Sequence, residues 1–323
     1  MKNILFVLLL TSLLLFSFTP IDAVAYNYTT VYVPGSVSTR VYDINDSGMI
    51  VGWYSDGTSS SPWHGFTYDG STYTTYDKPG ATATRFTGIN DNGDITGEYI
   101  GSTWTGLKYD GSTWSSLTAG DAARTDPRDI NDSGQIVGWN RDADYCAAYG
   151  FLYDGSTYTT LDYPGTDESG CSGGTGWDQT RAMGISDSGE IVGFYRMNNV
   201  THGFTYEGGS YSNFDYAGSS SSYATGINDM GLIVGSYVDV GGTTNGYMYD
   251  NGTWSDLFVP GSTSTTTTGI NNNGVIVGNY YDGTTNYGYI AVAVVPEPIS
   301  STLFIIGGAT LGFRLNRKKK SIV

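Results

Sequence analysis

The sequence is poor in the residues from which most catalytic and nucleic-acid-binding sites are built. Its 323 residues include two cysteines, two histidines and 15 lysines and arginines, against 31 aspartates and glutamates. Six of the basic residues lie near the two ends, so the part between carries 29 acidic and 9 basic residues, a net charge of −20. Such a surface repels nucleic acid and anionic lipid, which excludes nucleic acid as a partner.

Catalytic motifs are missing as well. The pattern Gly-x-Ser-x-Gly does not occur at a strand-to-helix turn, and no phosphate loop or dinucleotide fingerprint is present. Most carboxylates recur at fixed repeat positions, whereas general acid–base catalysis needs two carboxylates in unequal environments. The sequence therefore predicts a protein that is not an enzyme.

Long apolar runs occur only at the two ends. The N-terminus has a basic start, an apolar run from Ile4 to Phe18 and the small residues Ala23-Val24-Ala25. This is the order of a secretory signal peptide, with cleavage predicted after Ala25. The segment 1–25 is therefore predicted to be removed on export.

The other end combines three features. Pro296-Glu297-Pro298 precedes an apolar stretch, 299–313, and a basic end, 314–320. Fifteen residues span about 22 Å as a helix, against a hydrocarbon core of about 30 Å. We expect a short transmembrane helix at 299–313 within a sorting segment at 295–323, with a permanent anchor as the alternative.

Between the ends, one phrase occurs six times. It begins as DINDSGMIVGWY at position 43, and its leading isoleucine recurs at spacings of 45, 41, 55, 42 and 43 residues: Ile44, Ile89, Ile130, Ile185, Ile227 and Ile270. Periods of this length, with several strands in each repeat, are typical of propeller blades. The turns Asn-Asp-x-Gly and Asp-Gly divide each repeat into four short strands.

The sixth repeat lacks its fourth strand, and the segment 28–35, before the first repeat, has the pattern of one. An N-terminal strand that completes the last repeat would close a ring and remove two sheet edges. We predict an all-β, six-bladed propeller over residues 26–294, with an open β-solenoid as the alternative.

The repeated acids first indicate turns. One set follows the repeat isoleucine and a second precedes the last strand, and both are expected on the same face. Two copies of DINDSG, at 43–48 and 129–134, also resemble the opening of a calcium loop but lack its downstream glutamate. The sequence predicts no cofactor, and calcium is left open.

Four arginines precede the repeat isoleucine by two or four residues: Arg40, Arg85, Arg128 and Arg181. In a propeller they would begin the innermost strands, at the channel mouth opposite the acidic turns. A rim is expected from Trp63, His64, Tyr145, Tyr149 and His202. Guanidinium groups bind carboxylate or phosphate bidentately, so the cluster is a candidate site for anionic polysaccharide. The alternative is that these arginines pair with nearby acids.

The two cysteines, Cys146 and Cys171, both lie in the repeat with the longest spacing. Their connections are expected on one face of the predicted fold, and an exported protein meets an oxidising compartment. A disulfide between them is therefore predicted.

The two halves of the repeat, GIND.G.IVG and GF.Y.G, resemble the HAF-type extracellular repeat of bacterial exported proteins. The tail resembles the PEP-CTERM sorting signal. These resemblances imply a membrane-bound exosortase as partner, a transient membrane tether, and then a place at the cell surface or in the extracellular matrix.

We therefore expect an exported, non-catalytic protein with a structural or interaction role associated with exopolysaccharide. Two alternatives stay open: a lectin-like binder of acidic polysaccharide, and a polysaccharide-cleaving enzyme.

Overall fold

The computed structural model describes residues 24–58, 63–141, 147–166 and 179–294. The described residues form 24 strands, numbered in chain order. After β1 (Tyr26–Val31), the first repeat comprises β2 (Ser38–Ile44), β3 (Ile50–Ser55), β4 (His64–Tyr68) and β5 (Tyr73–Tyr76). The second comprises β6 (Ala83–Ile89), β7 (Ile95–Ile100), β8 (Trp104–Tyr109) and β9 (Trp114–Leu117).

The third repeat comprises β10 (Arg124–Ile130), β11 (Ile136–Arg141), β12 (Ala148–Tyr153) and β13 (Tyr158–Leu161). The fourth comprises β14 (Gln179–Ile185), β15 (Ile191–Met197), β16 (Val200–Glu207) and β17 (Ser210–Asn213). The fifth comprises β18 (Ser221–Ile227), β19 (Ile233–Val238), β20 (Thr244–Asp250) and β21 (Thr253–Leu257). The sixth comprises β22 (Ser264–Ile270), β23 (Ile276–Tyr281) and β24 (Asn286–Ala293).

These strands form four separate four-stranded sheets and one eight-stranded sheet. The third and fourth repeats share the large sheet, because Ala148 in β12 pairs with Gln179 in β14 in parallel. The prediction of six separate blades is therefore wrong: four blades stand alone. The two sheets join where the spacing between repeats is longest, because the start of β14 lies beside β12.

The N-terminal strand completes the last sheet, as predicted. β1 pairs antiparallel with β24, from Tyr26 opposite Ala293 to Val31 opposite Gly288. The amide of Asn271 in the sixth repeat also donates to the carbonyl of Asn45 in the first, at 2.9 Å. The first and last repeats are thus in contact, which excludes the open solenoid.

The repeated phrase folds as its residues dictate. Every innermost strand ends at the repeat isoleucine, and the following Asn-Asp-x-Gly makes a tight turn. In the first repeat, Asn45 accepts the N–H of Gly48 at 2.9 Å, and Gly48 has a φ of +83° that favours glycine. The glycine of Ile-Val-Gly is needed for another reason: at Gly52, an added Cβ would collide with the carbonyl oxygen of Arg40.

The core lies within and between the sheets. In the first repeat, Val41, Ile50 and Phe66 are almost fully buried and pack with Val31 of the closing strand. Equivalent apolar clusters recur around the molecule. Each sheet therefore buries its faces against its neighbours, and their inner strands surround a common axis.

The described part of the chain contains no helix, and therefore none that could cross a membrane. The predicted transmembrane helix at 299–313 lies outside the described residues. The signal segment 1–23, the tail motif Pro296-Glu297-Pro298 and both cysteines of the predicted disulfide lie outside the described residues.

Candidate functional site

Six turn residues form a closed ring around one end of the axis: Asp46, Asp91, Asp132, Asp187, Asp229 and Asn272. In this acidic ring, each backbone N–H donates to the Oδ1 atom of the member in the next repeat, over 2.7 to 2.9 Å. Burial and then neighbouring carboxylates raise the pKa of Asp91 and Asp187. The ring encloses a cavity of about 70 Å³, and its carboxylates serve as acceptors that join the repeats.

The second set of repeated acids divides in two. Asp69, Asp110 and Asp154 each accept backbone N–H groups two and three residues further on, which lowers their pKa. Within the described part, Glu207 and Asp250 make no such turn bond. Nor does the described chain contain three or more His, Cys, Asp or Glu side chains arranged to hold a metal ion.

Two partly buried carboxylates lie beneath the acidic ring. Asp43 accepts the N–H groups of Ile44 and Ile89, and Asp129 accepts those of Ile130 and Ile185, all at 2.7 to 2.9 Å. Burial and then Asp129 raise the pKa of Asp43 well above its usual value. Burial raises the pKa of Asp129 to about 7, and a hydrogen bond from Asp43 opposes that rise. The two carboxylates therefore favour protonation as a pair.

An arginine–tryptophan cluster combines side chains of the inner strands with side chains of the second and third strands beside them. It comprises Arg85, Arg124, Arg128, Arg141 and Arg181, the tryptophans Trp53, Trp63, Trp104 and Trp139, and the acids Glu98 and Asp126. Because the repeat isoleucine ends each inner strand at the acidic ring, these residues lie towards the opposite end. The sequence predicted this placement for Arg85, Arg128 and Arg181.

Arg85 is held among three indole rings. Its guanidinium carbon lies 3.9 Å from the ring centre of Trp63, 4.5 Å from that of Trp104 and 4.9 Å from that of Trp53. Its Nη1 donates to Glu98 at 3.2 Å. Burial lowers the pKa of Arg85, and Glu98 opposes that shift. The tryptophans fix the guanidinium plane and leave its charge only partly neutralised.

Glu98 and Asp126 connect the second and third repeats. Arg124 Nη2 donates to Glu98 Oε2 at 2.7 Å and to Asp126 Oδ2 at 2.9 Å, and Arg128 also donates to Asp126 at 2.9 Å. Burial would lower the pKa of Arg128, but Asp126 and then Tyr42 outweigh it and leave that pKa raised. Burial, followed by Asp126, raises the pKa of Glu98 to about 7.

One arginine of the cluster, Arg181, has no ion pair in the described part of the chain. Arg181 donates from Nε to Gln179 at 3.0 Å and lies 4.2 Å from the ring centre of Trp139. Burial lowers its pKa to about 10, and the charge of Arg128 adds to the effect. Arg181 is therefore a cation that the protein holds against aromatic and like-charged neighbours.

Several buried donors of the cluster have no acceptor among the described residues: Arg85 Nε, Arg124 Nε, Arg128 Nε, Trp53 Nε1 and Trp139 Nε1. A buried polar group without a partner costs about 1–3 kcal/mol. The cluster therefore contains unsatisfied donors, enclosed away from solvent, as well as positive charge.

Arg40 is separate from this cluster. It lines an open cleft of about 430 Å³ between the first repeat and the closing sheet, with Ser264, Thr266, Asn279, Tyr280, Tyr281 and Asn286. It forms no ion pair or ring contact within the described part of the chain. The predicted group of four arginines is thus three clustered residues and one that stands beside a different cavity.

The predicted rim is partly in place. Trp63 touches Arg85, while each histidine is paired with an aspartate: His64 with Asp77 at 2.9 Å and His202 with Asp215 at 2.7 Å. Both imidazoles also stack on a tyrosine of the second strand. Tyr149 already has an interaction partner, and Tyr145 lies outside the described residues.

Sequence reasoning missed Arg124, Arg141, Glu98 and Asp126. Strand register could have identified Glu98. It stands three residues after Ile95, as Trp53 stands three residues after Ile50, and this position lies opposite the arginine of the inner strand. Arg124 stands six residues before its isoleucine rather than four, and its bond to Glu98 crosses between repeats. Only the packing of the two sheets brings these residues together.

No family model matches the chain, and no curated protein sequence does. The solved structures that are similar in fold include the following three. The SapL1 lectin, in complex with alpha methyl fucoside, is 13% identical over 81% of this chain and 98% of its own, with a TM-score of 0.50. The fucose-specific lectin from Aleuria aurantia is 13% identical over 83% and 98%, with the same score. TolB from Acinetobacter baumannii is 14% identical over 80% and 65%, with a score of 0.51.

Proposed function

We propose that the protein is a non-catalytic, lectin-like propeller that binds acidic polysaccharide through the arginine–tryptophan cluster. The observation that carries this proposal is the imbalance of charge there. Without counting Arg141, four arginines meet only two described carboxylates, and burial opposes the charge of Glu98. An anion would relieve this imbalance.

The aromatic part of the cluster supports a carbohydrate ligand. Trp63 and Trp104 are half-buried and lie with their ring centres 5.6 Å apart. Indole rings present flat apolar surface beside polar donors, a combination that suits a sugar ring with an apolar face and many hydroxyl groups. A purely ionic site would not need four tryptophans.

The surrounding charge supports selectivity. The chain carries a net charge of −16, so the cluster is a small positive region on an acidic protein. Long-range attraction to a polyanion is weak, and binding must come from short-range contacts at the cluster. This favours recognition of defined saccharide units over general adhesion to polyanions.

The comparisons lend modest support. Two of the similar folds belong to fucose-binding lectins, at 13% identity. A propeller can serve many functions, so this likeness is an analogy of fold. Together with the cluster, it favours the lectin-like alternative over a purely structural role.

We further infer that the protein is exported and sorted. The signal segment ending at Ala25 and the tail at 295–323 are the grounds for this proposal. A surface or matrix location, reached with an exosortase as partner, would place the binding face beside exopolysaccharide.

Retention on immobilised polygalacturonate, compared with neutral dextran, tests the binding proposal. Arg181→Gln removes a cation that has no described ion pair, so the fold should be little disturbed. A charge-assisted hydrogen bond contributes about 1.5–3 kcal/mol, so we expect retention to weaken about tenfold or more. Arg196→Gln is the matched control, because Arg196 donates to Asn199 and has no described contact with the four tryptophans. Equal retention of both variants and the native protein would contradict the proposal.

A further inference from the structure

The cleft beside Arg40 lies at a unique place in the molecule. One wall is the inner strand β2 of the first repeat, and the other is the sheet that the N-terminal strand completes. Its volume of about 430 Å³ falls within the range of roughly 300–1,000 Å³ that is usual for small-molecule sites. The closing sheet contributes Ser264, Thr266, Asn279, Tyr280, Tyr281 and Asn286.

Arg40 lacks the counter-ion that the corresponding arginine has. In the second repeat, Arg85 lies opposite Glu98 in the strand register and bonds to it. In the first repeat, the residue opposite Arg40 is Trp53. A half-buried guanidinium is thus left without a carboxylate in the described part of the chain.

The neighbouring sheet does not supply a carboxylate for Arg40 either. At the position that Glu98 takes in the second repeat, the sixth has Asn279, opposite Thr266. Its amide is already used: Oδ1 accepts the N–H of Val41 and Nδ2 donates to the carbonyl of Val41, both at 2.8 Å. Asn279 therefore holds the wall of the cleft in place and leaves Arg40 available.

The remaining polar groups of the cleft are neutral. The Ser264 hydroxyl and the Asn286 amide make no side-chain hydrogen bond within the described residues. The Tyr281 hydroxyl donates to the carbonyl of Gly283 at 2.8 Å, which fixes its ring at the rim. One cation with neutral hydroxyl and amide groups suits a ligand that has a single carboxylate on a hydroxylated ring.

We propose that the Arg40 cleft binds one acidic sugar unit, with the carboxylate on the Arg40 guanidinium and the hydroxyl groups on Ser264 and Asn286. The inference rests on the proposed function and adds a second site to it, distinct from the arginine–tryptophan cluster. An isolated carboxylate matches the planar guanidinium bidentately, whereas neutral sugars leave the charge unpaired.

Calorimetric titration with short galacturonate oligosaccharides, their methyl esters and a sulfated oligosaccharide without carboxylates tests the site. The acid should bind the native protein at least tenfold more tightly than the ester. Arg40→Gln should remove one of two acid-binding events and keep the one assigned to the arginine–tryptophan cluster, and Arg40→Lys should leave an intermediate affinity at the cleft because it keeps the charge and loses the planar fork. Equal binding of the sulfated compound would show an anion site without preference for carboxylate and would overturn the assignment.

Two further variants separate this inference from the proposed function. Asn286→Ala should weaken acid and ester equally, by a few-fold, and melting temperatures of all variants should match that of the native protein. If Arg40→Gln binds like the native protein while Arg181→Gln loses binding, the cleft inference fails and the proposed function stands. If neither variant changes the binding of the native protein, both fail.

Discussion

The backbone N–H of Asn272 donates to Oδ1 of Asp46 at 2.7 Å, across 226 positions of sequence. The Asn272 amide also donates to Asp46 Oδ2 at 3.1 Å. This pair closes the acidic ring, because every other link joins consecutive repeats. The repeated aspartate that could pass for a catalytic or calcium-binding group is, in this structure, the acceptor that connects the end of the chain to its beginning.

Replacing Asp46 with alanine is expected to destabilise the fold. The change leaves the backbone N–H of Asn272 without its acceptor, at a cost of about 1–3 kcal/mol, while the side-chain amide keeps its bond to Asp229. Chemical denaturation followed by tryptophan fluorescence measures this, with Asp121→Ala as the control, since Asp121 is exposed and makes no described side-chain bond. A free energy of unfolding equal to that of the control would show that the ring contributes nothing.

Deleting residues 24–31 is expected to leave the last sheet with an open edge. β24 would lose its pairing with β1, and the row of freed backbone groups promotes association with other chains. Size-exclusion chromatography should show dimers or larger species, together with a lower melting temperature. A monomer as stable as the full chain would contradict the closure described above.

Stability should fall as the pH rises from about 5.5 to 8.5. Asp129 and Glu98 have folded-state pKa values of about 7, above their usual 3.8 and 4.5. In this window the folded protein holds protons that the unfolded chain has released, and that advantage is lost as the pH passes 7. Exposed turn acids such as Asp69 have a lowered pKa, so they titrate below this pH range. There they make the stability rise with pH.

Melting temperatures measured across this pH range check the sign. Asp43→Asn retains a donor towards Asp129 and an acceptor for one backbone N–H, so it mimics the protonated pair. We expect its melting temperature to vary less with pH than that of the native protein. A melting temperature that rises between pH 5.5 and 8.5 would show that these carboxylates are ionised in the fold.

Mass spectrometry of the protein recovered from its native host tests the predicted processing. Cleavage after Ala25 should leave Tyr26 as the first residue, and sorting at the tail should remove the residues after the Pro296-Glu297-Pro298 motif. An intact Val323 in the mature protein would support the permanent anchor instead.

Much of the fold could be predicted because the repeat encodes it locally. Each inner strand ends at its predicted isoleucine, and the N-terminal strand pairs where the missing fourth strand required it. The shared eight-stranded sheet could not be predicted, since it depends on the single pair Ala148 and Gln179. Contacts of that kind arise from how two sheets meet and leave no periodic trace in the sequence.

The candidate site was less predictable for a similar reason. The offset from the repeat isoleucine identified Arg85 and Arg181 correctly as inner-strand residues. It gave no means to tell that Arg85 is paired with Glu98 while Arg40 is unpaired, because that depends on the residue opposite and on the next sheet. Asp43 and Asp129 belong to different repeats, and they come together only because the repeats close around a common axis.

The most direct test of the central claim is a calorimetric titration of the native protein with polygalacturonate and with its methyl ester. We expect saturable binding of the acid and little binding of the ester. Binding of the acid should weaken as salt is raised from 0.15 M to 1 M, because the screening length falls from about 8 to about 3 Å. Equal binding of the two polymers, or no binding of either, would contradict the claim.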